Sequence, residues 1–322
     1  MGLSAKCGGN MESDSLNREA FMAEPELEIP DTGSPEWEKN ILKPEWLKVR
    51  IGTDRGYGAV NQALKSRCLH TVCQEARCPN ISECWTSGTA TFMIMGDICT
   101  RGCAYCAVKT GRPAPLDGNE PERVAQAVLS LKLDYAVITS VDRDDLPDGG
   151  AEHFASVIKA VRRSVPGCKI EVLIPDFGGD LNALERVLEA GPDVLNHNIE
   201  TVKRLYKRLR AKGDYRRCLD ILKYAKEHMP ADKRTKSGLM VGLGESCREI
   251  LYLMDDLRSA GTDVMTIGQY LRPSLKNVPV MKYRSPEEFA FFREEGLKRG
   301  FKFVEAGPLV RSSYRAASHF GA

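Results

Sequence analysis

The 322-residue chain has no apolar run close to the roughly 18 residues that a membrane-spanning helix requires. Its net charge is only +2, from 46 basic and 44 acidic residues. A net charge this small creates no general attraction to nucleic acid or to an anionic membrane surface, so we expect neither as a partner. The first residues also lack the basic-then-apolar order of a secretory signal, so we expect no export.

The N-terminal stretch, residues 1–40, lacks both a regular apolar pattern and the arginines of a transit peptide. Acidic residues outnumber basic ones there, and proline and glycine interrupt the stretch. This composition predicts a disordered acidic tail, because too little apolar surface is present to offset the entropy of ordering the chain.

Cysteine, by contrast, is plentiful, with 11 residues in the chain. Six of them form two triplets. The first has C-x4-C-x5-C spacing, and the second has C-x3-C-x2-C spacing. An odd number of cysteines in short-spaced groups favours metal binding in a reducing compartment over disulfides, so we expect a cytoplasmic protein. The first triplet is Cys73, Cys78 and Cys84; the second is Cys99, Cys103 and Cys106; and Cys7, Cys68, Cys168, Cys218 and Cys247 are predicted to be plain thiols.

Each triplet is one ligand short of the four that usually close a zinc or iron–sulfur site. An iron with three protein ligands keeps one position open, and an open position permits chemistry beyond electron storage. Two incomplete sites side by side therefore predict two clusters with different roles.

From residue 91 onward, apolar segments of strand length alternate with segments of helical period. The strand candidates are continuous apolar runs, which is typical of parallel strands covered on both faces. Six such units predict an α/β fold, a partial (β/α)6 TIM-like barrel, because eight units close a full one. The predicted strands are 91–95, 135–139, 169–174, 194–198, 237–241 and 264–270, and the helices are 122–131, 152–163, 181–189, 216–228 and 247–259.

We divide the chain accordingly. After the tail, residues 41–90 form an extension that carries the first triplet and one helix near 59–69. Residues 91–285 form the partial barrel. Residues 286–322 form a C-terminal extension with one helix and the polar run Arg311 to Tyr314.

Polar residues cluster where the predicted strands end. Asp142 and Asp144 follow the second strand, Asn198 and Glu200 follow the fourth, and Gly242 follows the fifth. In parallel α/β folds the carboxyl ends of the strands meet at one edge and carry the site. The second triplet follows the first strand, so we expect it at the same edge.

The second triplet resembles the signature of the radical S-adenosylmethionine enzymes, in its spacing, in the aromatic residue before its last cysteine, and in its place after a strand. The resemblance implies a [4Fe-4S] cluster on Cys99, Cys103 and Cys106. Its fourth iron would bind S-adenosylmethionine, which is cleaved to a 5′-deoxyadenosyl radical. A structural zinc site would need a fourth ligand. The expected S-adenosylmethionine contacts are Tyr105, Gly149, Gly150, Asn198, Glu200 and Gly242.

Residues 69–97, together with 138–146, 196–201 and 307–314, are similar to the lipoyl synthases. The resemblance implies that Cys73, Cys78 and Cys84 hold an auxiliary [4Fe-4S] cluster. Its fourth ligand would be the serine before the tyrosine, here Ser313, with Ser312 as the alternative. These residues are expected to be catalytic, because in that family the auxiliary cluster donates the two sulfur atoms inserted at carbons 6 and 8 of a protein-bound octanoyl chain.

The resemblance also implies partners. These are octanoylated lipoyl-carrier domains (the E2 subunits of 2-oxoacid dehydrogenases and the glycine-cleavage H protein), a ferredoxin or flavodoxin as reductant, and an iron–sulfur carrier that rebuilds the auxiliary cluster. A basic stretch after the fourth strand is a candidate to attract an acidic carrier, and a solvated helix face is an equal interpretation. The stretch contains Lys203, Arg204, Lys207, Arg208, Arg210, Lys212, Arg216 and Arg217.

The chain departs from the lipoyl synthase pattern at Gly102, at Lys212 and at Asn277 with Val278. Two other functions remain as alternatives: a sulfur-inserting enzyme of the biotin synthase kind, which would lack the first triplet, and a non-catalytic two-cluster iron–sulfur protein, which would carry four-cysteine sites. The sequence leaves the preferred carrier and the oligomeric state open.

Overall fold

The computed structural model describes residues 18–29, 43–48, 58, 60–62, 64, 66–67, 69–75, 78, 80–86, 91–210 and 212–319. Among them, no helix is both long and apolar enough to cross a membrane. Cys7 and Cys68, two of the predicted plain thiols, lie outside the described residues.

One eight-stranded sheet forms the centre of the fold, in the order β1-β2-β5-β6-β7-β8-β9-β10. Strand β1 is antiparallel to β2, and every other pairing in this sheet is parallel. A separate pair, β3 and β4, follows β2. The strands are β1 (His70–Thr71), β2 (Thr91–Ile94), β3 (Ile98–Cys99), β4 (Lys109–Thr110), β5 (Tyr135–Ser140), β6 (Lys169–Leu173), β7 (Val194–Asn196), β8 (Arg234–Val241), β9 (Val264–Gln269) and β10 (Phe303–Gly307).

Helices follow the strands in alternation and cover the sheet. Their apolar faces are buried, and several begin at side-chain caps, such as the capping boxes that start at Ser246 and Ser285. From residue 72 onward, the α-helices of the described residues are α1 (Val72–Glu75), α2 (Ile81–Thr86), α3 (Glu120–Ser130), α4 (Ala151–Ser164), α5 (Leu181–Glu189), α6 (Lys203–Leu209), α7 (Tyr215–His228), α8 (Cys247–Ser259) and α9 (Pro286–Lys298).

All six predicted barrel strands are present, in parallel and in chain order across the sheet. The predicted α/β partial barrel is therefore confirmed. The structure adds β10, which pairs in parallel with β9. The sequence did not indicate this strand, because only Val304 in it is fully buried and Glu305 interrupts the apolar pattern.

Part of the expected disordered tail is ordered, which corrects that prediction for residues 18–29. Leu27 donates its backbone N–H to the carbonyl of Gly244 (3.0 Å). Glu24 forms ion pairs with Lys282 (2.7 Å) and with the buried Arg284. The acidic residue that made this stretch look solvated instead neutralises cations of the barrel, and a buried cation requires such a partner.

Candidate active site

The second cysteine triplet lies on the short β3 strand and the loop that follows it. Cys99, Cys103 and Cys106 line one cavity of about 180 Å³ at the carboxyl ends of the sheet strands. Backbone N–H groups point at two of these sulfurs: those of Arg101 (3.4 Å) and Asp142 (3.3 Å) at Cys99, and that of Val108 (3.4 Å) at Cys106. Such donors stabilise anionic sulfur, as in iron–sulfur sites.

Arg101 anchors this loop to the sheet. Its guanidinium pairs with Asp144 (2.7 Å) and Asp176 (2.6 Å), and it lies 3.3 Å from Asp142. Burial alone would raise the pKa of Asp176, but hydrogen bonds and charge from Arg101 hold that pKa well below its usual range. The loop therefore has one fixed position relative to strands β5 and β6. This role of Arg101 is not visible in the sequence alone, although the acidic residues after the second strand are a signal for it.

The three thiols of this cavity are poor acids when no metal is bound. Burial is the first cause that raises the pKa of Cys99, Cys103 and Cys106 to about 11. Neighbouring anions such as Asp142 add to the effect at each of them. A bound metal centre removes this penalty, because it takes thiolates as ligands. Among the described residues, no fourth cysteine and no histidine lines this cavity. The set fits an iron–sulfur cluster with one position open.

Asn198, Glu200 and Tyr105 line the same cavity and also a larger one of about 370 Å³ beside it. Glu200 has a left-handed backbone (φ 68°), held by backbone hydrogen bonds to Gly238 and Met240 (2.9 Å each). Burial raises the pKa of its carboxyl. Strain of this kind is typical of functional positions.

Three polar oxygens from residues that line the cavity have no hydrogen-bond partner among the described residues: Asn198 Oδ1, Ser140 Oγ and Asp142 Oδ1. Asp142 Oδ1 lies 3.3 Å from the Arg101 guanidinium, whereas the other two have no such neighbour among the ion pairs of the described residues. Buried polar atoms usually find partners, so Asn198 Oδ1 and Ser140 Oγ mark a surface prepared for a ligand. A side chain at Gly238 would place its Cβ 2.6 Å from Asn198 Oδ1, so glycine is needed there. Ser140 ends strand β5, and no motif in the sequence marks it.

Three predicted S-adenosylmethionine contacts lie elsewhere. Gly149 and Gly150 form the left-handed turn before α4 and pack against Phe177 and Met95. Gly242 packs against Gln269 and the Lys282 carbonyl, and its N–H donates to Glu245 (2.6 Å). None of the three lines either cavity. Their positive φ angles serve turns, which is a common use of glycine, and their contact with S-adenosylmethionine stays a prediction.

The first triplet forms a second, much tighter site. Cys73, Cys78, Cys84 and Ser313 line one small cavity of about 10 Å³. Ser312 does not line it and faces the larger cavity instead. The arrangement brings together the three predicted cysteines and, of the two candidate serines, Ser313.

These three thiols are also poor acids, because burial is the first cause that raises the pKa of each. The charges of Cys78 and Cys73 then help to raise the pKa of Cys84 to about 12. The donor set of three sulfurs and one hydroxyl oxygen is of the kind that an iron–sulfur cluster takes, as is the sulfur set of the first site.

Contacts between the two extensions close this second site. Asn80 donates its side-chain N–H to the carbonyl of Leu309 (2.5 Å), and Tyr314 donates its hydroxyl to Glu83 (3.0 Å). Arg315 also lies 3.4 Å from Glu83. We call these contacts of Asn80 and Glu83 with the C-terminal segment the clasp, because they hold Ser313 beside the cysteines.

The larger cavity adjoins the cysteine loop and the C-terminal segment. It shares Tyr105, Cys106, Asn198 and Glu200 with the first site, and shares Arg311 with the second. Much of its remaining wall is apolar, including Val72, Leu173, Leu239, Met240, Leu271, Pro273 and Val310. The cavity therefore has room and character for an apolar chain between the two sites.

The three positions at which the chain departs from the lipoyl synthase pattern lie on or near the loop of the second triplet. Lys212 donates to Asp144 (3.3 Å) and to the Thr100 carbonyl (3.4 Å), beside the cysteine loop. Asn277 donates to the carbonyls of Ala104 (3.2 Å) and Cys106 (2.9 Å). Gly102 is exposed. Both polar departures thus support the backbone of the loop that carries the second triplet.

The fold and the cysteine loop are those of a radical S-adenosylmethionine protein. Residues 93–257 match the model of the radical SAM superfamily. Among solved structures, methylornithine synthase is similar over 80% of this chain and 79% of that chain, with TM-score 0.50 and 13% identity. Streptococcus suis SuiB bound to S-adenosylmethionine is similar over 73% and 56%, with TM-score 0.52 and 13% identity. These likenesses show the fold.

Residues 29–78 match the model described as the N-terminal domain of lipoyl synthase. Lipoyl synthase of Symbiobacterium thermophilum is 54% identical over 92% of this chain and 92% of its own length. Those of Rubrobacter xylanophilus (56% identical over 85% of each) and Bacteroides fragilis (50% identical over 88% and 97%) agree. The chain belongs to the lipoyl synthase family.

This membership confirms the predicted enzyme class, a sulfurtransferase, and the predicted cofactors, S-adenosylmethionine and two [4Fe-4S] clusters. It favours neither alternative function.

Proposed function

We propose that this enzyme completes lipoyl groups in place, by inserting sulfur at carbons 6 and 8 of an octanoyl chain attached to a lysine of a carrier domain. In this proposal Cys99, Cys103 and Cys106 hold the cluster that binds S-adenosylmethionine. The auxiliary cluster is held by Cys73, Cys78, Cys84 and Ser313.

One observation carries the proposal: the two sites are completed differently. Ser313 shares a tight cavity with three cysteines, whereas the other triplet opens into a cavity with room for a ligand. When bound, S-adenosylmethionine with its cluster supplies a hydrogen-abstracting radical, and the auxiliary cluster supplies sulfur.

The chain's own residues position the reactants and exclude water. The apolar wall of the larger cavity, with Leu239 and Val310 on opposite segments, would hold the octanoyl chain between the two sites. Asn198 and Glu200 have polar atoms at the shared wall and are our candidates to bind the ribose of S-adenosylmethionine. Holding the octanoyl chain and S-adenosylmethionine next to each other at this shared wall lowers the entropic part of the activation free energy.

The serine ligand suits a cluster that is consumed. Iron–sulfur clusters normally take thiolates, and an alkoxide oxygen is a harder ligand. Ser313 lies on a segment fastened to the first triplet by the clasp. We infer that this ligand is the one released when sulfur leaves.

The carrier-docking hypothesis narrows to part of the basic stretch. Arg204 pairs with Glu249 (2.9 Å), Arg217 with Asp176 (3.0 Å), and Arg210 is buried, so these serve the fold. The exposed cations of the stretch are Lys203, Lys207, Arg208, Lys212 and Arg216; Lys212 pairs with Asp144 (3.3 Å) and Arg216 with Asp220 (3.5 Å), both at the surface. We propose that they attract the acidic carrier, an E2 subunit or the glycine-cleavage H protein.

The reductant, a ferredoxin or flavodoxin, and the iron–sulfur carrier that rebuilds the auxiliary cluster stay proposals drawn from the family. So does the cytoplasmic location, which would keep these thiols reduced.

The experiment is anaerobic incubation of the reconstituted enzyme with an octanoylated carrier domain, S-adenosylmethionine and a reductant. We expect a carrier that has gained two sulfurs, with two 5′-deoxyadenosine molecules released for each. Iron analysis should give about eight irons per chain, four for each cluster. An enzyme that holds both clusters and yields no sulfur-bearing carrier would refute the proposal.

A further inference from the structure

Arg311 lies between the two sites. It lines the tight cavity of Cys73, Cys78 and Cys84, and it also lines the larger cavity. Its side chain donates to the carbonyls of Gln269 (3.3 Å) and Val310 (2.6 Å). Among the described residues, no ion pair joins it to a carboxylate. A partly buried guanidinium with only carbonyl partners retains a full positive charge.

The barrel is shaped to seat this guanidinium. Gly268 in β9 lies under the C-terminal segment, and a Cβ added there would collide with the carbonyl oxygen of Val310. The same Cβ would lie 3.3 Å from Arg311 Nη1. The missing side chain at Gly268 is therefore what lets the backbone of Val310 and the head of Arg311 approach the strand.

A second arginine near the same thiols provides a contrast. Arg315 lies near Cys84 and Arg311 near Cys78, close enough in each case for the cation to act on the thiol. Arg315, however, pairs with Glu83 at 3.4 Å, and its side chain is 60% exposed. Its charge is already balanced and screened by water, so its effect on the site should be small.

We propose that Arg311 is the charge-balancing residue of the auxiliary site, an inference that rests on the proposed function. Three thiolates and an alkoxide give that site an excess of negative charge. Burying an unpaired cation is costly unless an anion faces it, and here the cluster is the anion available. The interaction between the guanidinium and the cluster is strong in an enclosed site, because little water is present to screen it.

Because Arg311 also faces the larger cavity, it acts on the octanoyl chain at the same time. Once one sulfur has been inserted, the chain would carry an anionic sulfur, and the cavity that Arg311 lines would bring this sulfur near the guanidinium. The guanidinium attracts this anion and holds the single-sulfur product beside the site for the second insertion.

The test compares neutral variants with a charged one and with a matched control. Arg311→Met, Arg311→Gln, Arg311→Lys and Arg315→Met are made in a chain whose Cys99, Cys103 and Cys106 are alanine, so that only the auxiliary cluster gives a signal. A redox titration followed by electron paramagnetic resonance gives the reduction potential, and iron analysis gives occupancy.

We expect a more negative potential in the neutral Arg311 variants, because adding an electron is harder without the cation. The potential of Arg311→Lys should stay close to that of the parent. The potential of Arg315→Met should also stay close, because the clasp keeps the hydrogen bonds of Asn80 and Tyr314. If the neutral variants that retain about four irons have the parent's potential, the proposal is wrong. Loss of iron from both neutral variants, with retention in Arg311→Lys, would support it, because charge rather than shape is then required.

In the intact enzyme, the neutral Arg311 variants should release a larger share of single-sulfur product than Arg315→Met. An unchanged share would overturn the second half of the proposal. These outcomes differ from a failure of the proposed function. In that case the enzyme without any Arg311 substitution would itself hold no auxiliary cluster or would form no sulfur-bearing product.

Discussion

The two cysteine sites are built in opposite ways. Cys99, Cys103 and Cys106 lie on one loop, which Arg101 fixes to the sheet through Asp144 and Asp176. The other site joins residues 73–84 to the segment at Ser313, and the clasp holds the two parts together. The first site is complete as soon as the barrel folds, whereas the second requires both extensions.

This difference matches the roles that we propose for the two sites. A site that generates a radical must keep its geometry through every cycle, and a sheet-anchored loop does so. A site that is taken apart and rebuilt needs a ligand that can leave and return. Its proposed fourth ligand, Ser313, lies on a segment that follows β10, at the edge of the sheet.

The largest expected effect is the loss of activity when a cysteine of either site is replaced, because the two sites should lose different reactions. Cys99→Ala should abolish both S-adenosylmethionine cleavage and sulfur insertion, whereas Cys73→Ala should abolish only sulfur insertion. Each variant should retain about four irons, since the other cluster remains. Assay of 5′-deoxyadenosine and of product mass checks this. Cleavage that persists in Cys99→Ala would show that the triplets have been assigned the wrong way round.

The next effect tests how the second site is completed. Ser313→Ala should reduce sulfur insertion by at least the roughly 10- to 100-fold that is typical of a disturbed metal-ligand shell. Cleavage of S-adenosylmethionine should continue. Ser312→Ala is the matched control, because Ser312 lies outside the tight cavity. Equal losses in the two serine variants would contradict the assignment of the ligand.

A smaller effect concerns the stability of the barrel behind the first site. His197 is buried and bonds to the Ile174 carbonyl (2.9 Å) and Cys218 (3.0 Å). Burial, with the charge of Arg210, lowers the pKa of His197 from 6.5 to about 4. Below pH 6.5 the folded state then binds fewer protons than the unfolded state. The contribution of His197 to the free energy of unfolding is therefore fully present above pH 6.5 and is lost as the pH falls toward 4.

Because of this shift in the pKa of His197, the free energy of unfolding should fall by about 2 kcal/mol between pH 7 and pH 5. His197→Gln should be less stable at pH 7 but should lack this part of the pH dependence. Denaturant unfolding of both proteins at the two pH values measures it. An identical slope in the variant would mean that another group causes the dependence.

The smallest effect concerns the clasp. Tyr314→Phe removes one partly exposed hydrogen bond to Glu83, worth about 1 kcal/mol or less. Amide hydrogen exchange should rise in residues 309–316 and stay unchanged in the loop of Cys99 to Cys106. Faster exchange in that loop would show that the two sites do not fold independently.

The sequence predicted what is local in the chain. The six barrel strands were visible as apolar runs, and each triplet as a spacing, because strands and short metal loops are encoded by neighbouring residues. Ser313 came from the resemblance alone, since no spacing links residues 84 and 313. Only the structure distinguishes its surroundings from those of Ser312.

What the sequence could not supply depends on distant segments meeting. Arg101 and Arg311 look like any surface cation until the sheet brings Asp176 to one and Gly268 to the other. Glycine serves turns and close approaches alike, so the sequence does not say whether Gly149, Gly150 and Gly242 serve a turn only or also contact a ligand.

The most direct measurement of the central claim follows the sulfur. The enzyme is reconstituted with heavy-isotope sulfide, transferred to a solution that contains only ordinary sulfide, and allowed one turnover on an octanoylated carrier. If the site of Cys73, Cys78, Cys84 and Ser313 donates the sulfur, the product carries two heavy atoms, and Cys73→Ala yields none. Product containing ordinary sulfur, or heavy product from Cys73→Ala, would contradict the account.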